Sequence, residues 1–240
     1  MKDRLGAIAL LLLLAATVRA EGFWSKKEYT QWNARECSKL LEDSPWAKTR
    51  TYTAIFILEA GQPSPVPGRD QVPQISYVTQ IWSALPLRQA ALRRLQLDPS
   101  FLRLPIERRQ AEEARYSTLL AGTGFEDRIL IRVLYSTTAL ALGRELAAYW
   151  QAQSESYKQK IFLSSSSGRF SPLAMRAESG AGGSIEIDFP RTVNGHPIIP
   201  PSDKSFVMEF EVPDIGPIQG GRVLSEFKLK DMMIKGAPVF

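Results

Sequence analysis

The chain has 240 residues, 44% of them hydrophobic, a formal charge of +5, one cysteine and one histidine. This composition suits an ordinary globular core and excludes a disordered, collagen-like or disulfide-stapled chain. One Cys and one His leave no material for a clustered zinc site, and so mild a charge does not by itself require a polyanionic partner.

The first twenty residues read as a secretory signal peptide. Lys2 and Arg4 form a charged start, Leu10 to Leu14 an apolar run, and Val18-Arg19-Ala20 a small-residue cleavage site. The run is too short to span a bilayer. Its removal takes away Lys2, Arg4, Arg19 and Asp3 and lowers the charge to +3. No later segment has eighteen uninterrupted apolar residues. The expected mature chain, 21–240, is a single exported α+β domain, soluble and periplasmic or extracellular, with no transmembrane segment.

The stretch FWSKKEYTQWNARECSKLLEDSPWAK, Phe23 to Lys48, holds three of the five tryptophans and the only cysteine. Ser25 and Glu28 have the spacing of a capping box, with Trp24 and Tyr29 at the positions of a hydrophobic staple. The helix that follows is expected to carry Tyr29, Trp32, Cys37, Leu40 and Leu41 on one side. Ser44-Pro45 ends it and turns Trp46 inward. Core packing accounts for Trp24, Trp32 and Trp46. An aromatic platform for sugar or peptide is the functional alternative. Cys37 reads as a small buried hydrophobe, with an intermolecular disulfide as the sharper alternative.

A WxKKxYxxW helix preceded by Phe23, an ECxKLL continuation and an SPWA stop run from Phe23 to Ala47. This segment resembles the N-terminal signature of a family of uncharacterised exported bacterial proteins of acidobacterial type. The resemblance is looser over Ile81 to Ala90 and in the strand-rich C-terminal half. Such proteins are sometimes grouped with GWxTD-domain exported proteins, and no GWxTD string occurs here. The resemblance implies export and brings no activity or site residue with it.

Thr51 to Leu58 reads as a central strand and Glu59 to Gln74 as a stiff proline loop, a connection or, less simply, a proline-motif ligand. Ile75 to Ser83 is a second strand. Helices follow from Leu87 to Leu97, with a stripe of Leu87, Ala91 and Leu95, and from Pro105 to a stop at Gly122. This two-helix insert, about 86–122, carries seven arginines against four acids. Arg108–Glu112 and Arg109–Glu113 are spaced for pairing. Its arginines read as a solvated face or as a patch for an anionic envelope polymer; nucleic acid is not expected.

Arg128 to Tyr135 alternates as a strand and a helix runs from about Ala139 to Gln151. The part from 157 to 240 is strand and turn, with alternation at Ile185 to Phe189, Phe206 to Phe210 and Val223 to Leu229. The fold class is therefore α+β: antiparallel β-sandwich-like sheets with an N-terminal helix and a two-helix insert. If the last two strands pair, Glu209 and Glu211 are expected near Lys228 and Lys230.

Catalytic signals are weak. His196 stands beside an Asn-Gly turn with no nucleophile elbow to serve. Ser179 to Ser184 is glycine-rich but lacks the ending of a phosphate loop and reads as a hairpin tip. The same-face pairs Glu186/Asp188 and Glu209/Glu211 are either exposed sheet faces or the acids of a glycosidase. The leading expectation is a non-enzymatic envelope module that binds a protein or anionic polymer without a cofactor. Its candidate contacts are Trp24, Trp32, Trp46, Arg88, Arg108 and Arg109. The alternative is a carboxylate-based hydrolase of extracellular glycan.

Overall fold

The computed structural model describes residues 22–53, 74–178, 183–215 and 220–240. The expected signal peptide, nearly all of the expected proline loop, the Ala54–Leu58 part of the first expected strand and most of the expected glycine-rich tip lie outside the described residues.

Two antiparallel sheets form the frame. The first has the order β1-β2-β3-β7-β6, built from β1 (Ala47–Thr53), β2 (Gln74–Ile81), β3 (Arg128–Thr137), β6 (Ala174–Glu178) and β7 (Gly183–Pro190). The second has the order β11-β10-β4-β5, from β4 (Ile161–Ser165), β5 (Gly168–Phe170), β10 (Ser205–Val212) and β11 (Gly221–Lys228). Two small hairpins pair β8 (Thr192–Val193) with β9 (His196–Pro197) and β12 (Met233–Ile234) with β13 (Ala237–Pro238).

The alternating sequences explain which faces meet. Phe206, Met208 and Phe210 of β10 are buried, as are Ile131 and Val133 of β3 and Ile185 and Ile187 of β7. The Tyr77 ring of the first sheet meets Phe210 of the second edge-on at 5.3 Å, and Ser225 Oγ lies 3.2 Å from Thr79 Oγ1 across the core. Full burial of each such side chain contributes roughly 1.5–3 kcal/mol. The opposite faces point outward, and on the first sheet that outer face becomes the floor of the site.

Six helices in the described residues dress the sheets: α1 (Phe23–Lys26), α2 (Ala34–Glu42), α3 (Leu85–Gln96), α4 (Pro99–Leu102), α5 (Ile106–Ala121) and α6 (Leu140–Tyr157). The expected insert is α3 to α5, and α5 ends at Gly122 with a left-handed φ of 77° that glycine adopts without a Cβ clash. Only Leu87 of the expected α3 stripe is fully buried; Ala91 and Leu95 stay partly open to the groove described below. The last helix runs to Tyr157, six residues past the expected end, because WQAQSESY contains no Gly or Pro to stop it. Leu142, Leu146 and Trp150 form its buried stripe, and Trp150 packs on Tyr157 at 4.6 Å.

The N-terminal stretch departs from expectation. The Ser25–Glu28 capping box does not form: α1 is one turn, and Ser25 Oγ donates to the Gly22 carbonyl at 2.9 Å. The box lies eight residues later. Asn33 Oδ1 accepts from the Glu36 amide at 2.9 Å and Glu36 Oε2 from the Asn33 amide at 3.0 Å. Helical phase gives the reason. At 100° per residue a continuous helix would point Trp32 and Leu41 in opposite directions. Breaking the chain at Asn33 buries both, at 1% and 7% exposure. Ser44 does make the expected turn that sets Trp46 inward, its hydroxyl donating to the Leu40 carbonyl and accepting from the Trp46 amide.

Candidate functional site

The sequence-derived contacts do not assemble into one surface. Trp32 and Trp46 are core residues, 1% and 0% exposed, whose indole N–H groups donate to the Lys27 and Val239 carbonyls. Core packing is therefore their role, and the alternative of a surface platform built on Trp32 and Trp46 is corrected: an exposed indole would sacrifice the burial that closes the aromatic cluster. Trp24 is half-buried against Trp46 at 5.6 Å and borders a separate hollow of about 560 Å3 with Lys48, Lys230 and Lys235.

The arginine face is also dispersed. Arg88 is 4% exposed and stacks on Phe125 at 4.4 Å, with Nε and Nη1 unpartnered, so it is corrected from surface contact to core residue. Burial and the nearby Arg191 hold its pKa down to about 10. Arg93 donates to the Trp32 carbonyl and Arg94 faces Glu42 at 3.8 Å. Arg108 is exposed and Arg109 half-buried with its Nε unpartnered. The expected Arg108–Glu112 and Arg109–Glu113 pairs are replaced: Glu112 meets Arg115 at 3.9 Å, and Glu113 turns toward Gln96 of α3.

The acidic pairs stand on the outer faces of different sheets. Register sets Arg132 and Arg176 on either side of Glu186. Arg132 bonds Glu186 at 2.6 Å, Arg176 bonds Asp188 at 2.7 Å, and Arg128 reaches Asp188 at 3.3 Å. On the second sheet Glu209 pairs with Arg169 and Glu211 with Lys160. The expected partners Lys228 and Lys230 are too far along the strand, since Lys228 lies opposite Ser205. All four carboxylates are thus bound to cations. His196 is exposed just after an Asn194-Gly195 turn with φ values of 52° and 78°. Among the described residues no cluster of His, Cys, Asp or Glu is placed to hold a metal ion.

The structure instead brings together a groove of about 710 Å3 between the outer face of the first sheet and the helical insert. Thr49, Ser76, Val78, Gln80 and Leu134 make its floor; Ala91, Leu95 and Tyr116 come from the insert. At one end Arg132 stacks on Trp82 at 3.9 Å. Beyond that stack a basin of about 430 Å3 continues toward Arg115, Arg128 and Arg176. A volume in this range, with apolar residues set among polar and charged ones, is that of a small-ligand or short-chain site.

Two floor residues carry unused hydrogen-bonding capacity. Gln80 is 2% exposed; its Nε2 donates to the Leu41 carbonyl at 2.7 Å, and its Oε1 has no partner. The Leu41 carbonyl fixes the amide orientation, because a flip would set two acceptors against each other. Arg132, directly opposite Gln80 in the β2–β3 register, has an unpartnered buried Nε. A buried polar atom without a partner costs roughly 1–3 kcal/mol. Neither residue is singled out by the sequence: Arg132 there is only the polar side of an alternating strand, and its pairing with Gln80 depends on register across the whole insert.

A scan against protein-family models, a search of curated proteins and a search of solved structures each found no match to the chain. The fold and groove alone define the class: an α+β protein of two antiparallel sheets with a helix-walled groove on one outer face. No described helix is long and apolar enough to cross a membrane.

Proposed function

We propose that this chain is an exported, non-enzymatic binding module of the cell envelope, and that the groove beneath the helical insert is its binding site. The observation that carries the reading is the groove itself, about 710 Å3 between the sheet's outer face and the helical insert, where Val78, Leu134, Ala91 and Leu95 stand beside Arg94, Arg132 and Tyr116. Export rests on the signal-peptide pattern and on the N-terminal resemblance. A binding role rather than hydrolysis is supported by the commitment of Glu186, Asp188, Glu209 and Glu211 to basic partners.

Site-specific photo-cross-linking tests this in cells that export the protein. A photoreactive amino acid replaces Tyr116 or Arg94 at the groove, or Leu224, which is 48% exposed on the other sheet. Adducts at 116 and 94 but not 224 are expected. Equal labelling at all three, or none at the groove, would overturn the proposal.

A further inference from the structure

The hollow beside Trp24 is separate from the groove and differs from it in charge. It holds about 560 Å3, and its charged lining is Lys48, Lys230 and Lys235 against one carboxylate, Asp231. Among the described residues none of these three lysines makes an ion pair. Lys48 Nζ donates to the Ser44 carbonyl at 2.9 Å, which fixes the ammonium and leaves it two further donors. Burial is the first influence on Lys48 and holds its pKa below the usual lysine value; Asp43 and Asp231 oppose this, and Arg50 and Lys228 add to it. An anion in the hollow relieves that cost. Lys230 and Lys235 are exposed, so their charges are open to a partner. Lys235 stands at φ 50° and Gly236 at 82° in the two-residue turn of the β12–β13 hairpin, which holds this lysine at the hairpin tip.

Ammonium groups act as point charges and suit phosphate oxygens. Two further features select a membrane over a free phosphate. Trp24 and Met233 border the same hollow, Trp24 half-buried and Met233 37% exposed. An indole and a thioether beside lysines make the mixed surface that settles at a lipid headgroup boundary. Gly22 also lines the hollow, and a Cβ there would run into the Trp24 ring, so the chain comes in flat against the indole. Gly22 is two residues beyond the expected cleavage site at Ala20. The apolar leader with Leu10 to Leu14 therefore joins the domain at this hollow and brings it to the bilayer surface during export.

We propose that the lysine hollow docks the exported protein on an anionic phospholipid surface, with a lipid phosphate among Lys48, Lys230 and Lys235 and with Trp24 and Met233 at the headgroup boundary. This shares export with the proposed function and does not depend on the groove. The test is sedimentation of the mature protein, residues 21–240, with vesicles of phosphatidylglycerol and phosphatidylcholine in equal parts.

Binding is expected at low salt, falling as salt is raised, with none to phosphatidylcholine alone. Lys230→Gln with Lys235→Gln should weaken it roughly tenfold or more, since each lysine near an anionic membrane contributes about fivefold. Arg103→Gln with Arg108→Gln removes the same charge from two exposed residues of the insert and should leave binding nearly unchanged. The other four tryptophans are buried, so fluorescence quenching by a lipid labelled at headgroup depth should vanish in Trp24→Phe. Equal loss in both double variants, equal binding to phosphatidylcholine alone, no binding at low salt, or quenching that persists in Trp24→Phe would overturn the proposal. Binding of soluble polyphosphate without binding to vesicles would also overturn it and assign the lysines to a free polyanion.

Discussion

Replacing Arg88 with methionine is expected to stabilise the protein. The guanidinium is 4% exposed, its Nε and Nη1 are unpartnered, and its pKa is held down to about 10, well below the ordinary arginine range, first by burial and then by Arg191. For a base with a lowered folded pKa, the penalty is complete below that pKa and fades as pH rises through it. A measurement at pH 7 therefore sees all of it. At 1.36 kcal/mol per unit this costs roughly 3 kcal/mol. The stack on Phe125 returns about 1–2 kcal/mol. Arg88→Met keeps the unbranched apolar stem as far as the Nε position and removes the charged guanidinium, so a net gain of about 1–2 kcal/mol remains. For a chain of this size that is roughly 2–8 °C in Tm. Urea unfolding at pH 7 measures it, with Arg88→Lys as the control that keeps the charge and loses the planar face; the lysine variant should be less stable than the native protein. A loss of 1 kcal/mol or more in Arg88→Met at unchanged m-value would refute the reasoning, because it would mean that the guanidinium has a partner that stabilises it.

Glu36→Ala should weaken the protein by about 0.5–2 kcal/mol at pH 7, since it removes the acceptor that the Asn33 amide uses in the capping box. The hydrogen bond from Lys27, and then that from the Asn33 amide, hold this carboxyl below its usual pKa. The native advantage is therefore present above the unfolded carboxylate pKa and should disappear as pH falls through the lower folded value, as urea melts of both proteins at stepped pH will record. Cys37 is 0% exposed and burial pushes its thiol up, so a disulfide-exchange reagent should label it only on unfolding; stoichiometric labelling of the native protein within minutes would contradict this. Tyr157 donates from inside the core to the Glu211 carbonyl, and Tyr157→Phe is expected to cost about 1–3 kcal/mol in urea unfolding, with groove binding unaffected.

What the sequence reveals, and what it hides, follows from locality. The strands of the C-terminal half are legible because one face meets water: Phe206, Met208 and Phe210 alternate with Val207, Glu209 and Glu211. The stop at Gly122 is legible for the same reason, being written in one residue's backbone freedom. The N-terminal helix start is a closer contest. Both S-x-x-E and N-x-x-E patterns are present, and the opposite phases of Trp32 and Leu41 decide between them. Arg88 looks like a solvent residue until Phe125, far along the chain, closes over it. The groove is less legible still. Gln80 and Arg132 become neighbours only through strand register, and Tyr116 faces them only because the insert folds back over the sheet. Aromatic residues draw attention in a sequence, yet the two most buried of the opening tryptophans are the ones committed to packing.

Filling the groove tests the central claim most directly. Ala91 is half-buried on α3 and lines the groove together with Val78 and Leu134, so Ala91→Trp places an indole in the proposed binding site. The proposed binding site requires that this variant keep the native fold by far-ultraviolet circular dichroism while losing the photo-adduct at position 116. Retention of that adduct in a folded Ala91→Trp protein would contradict it.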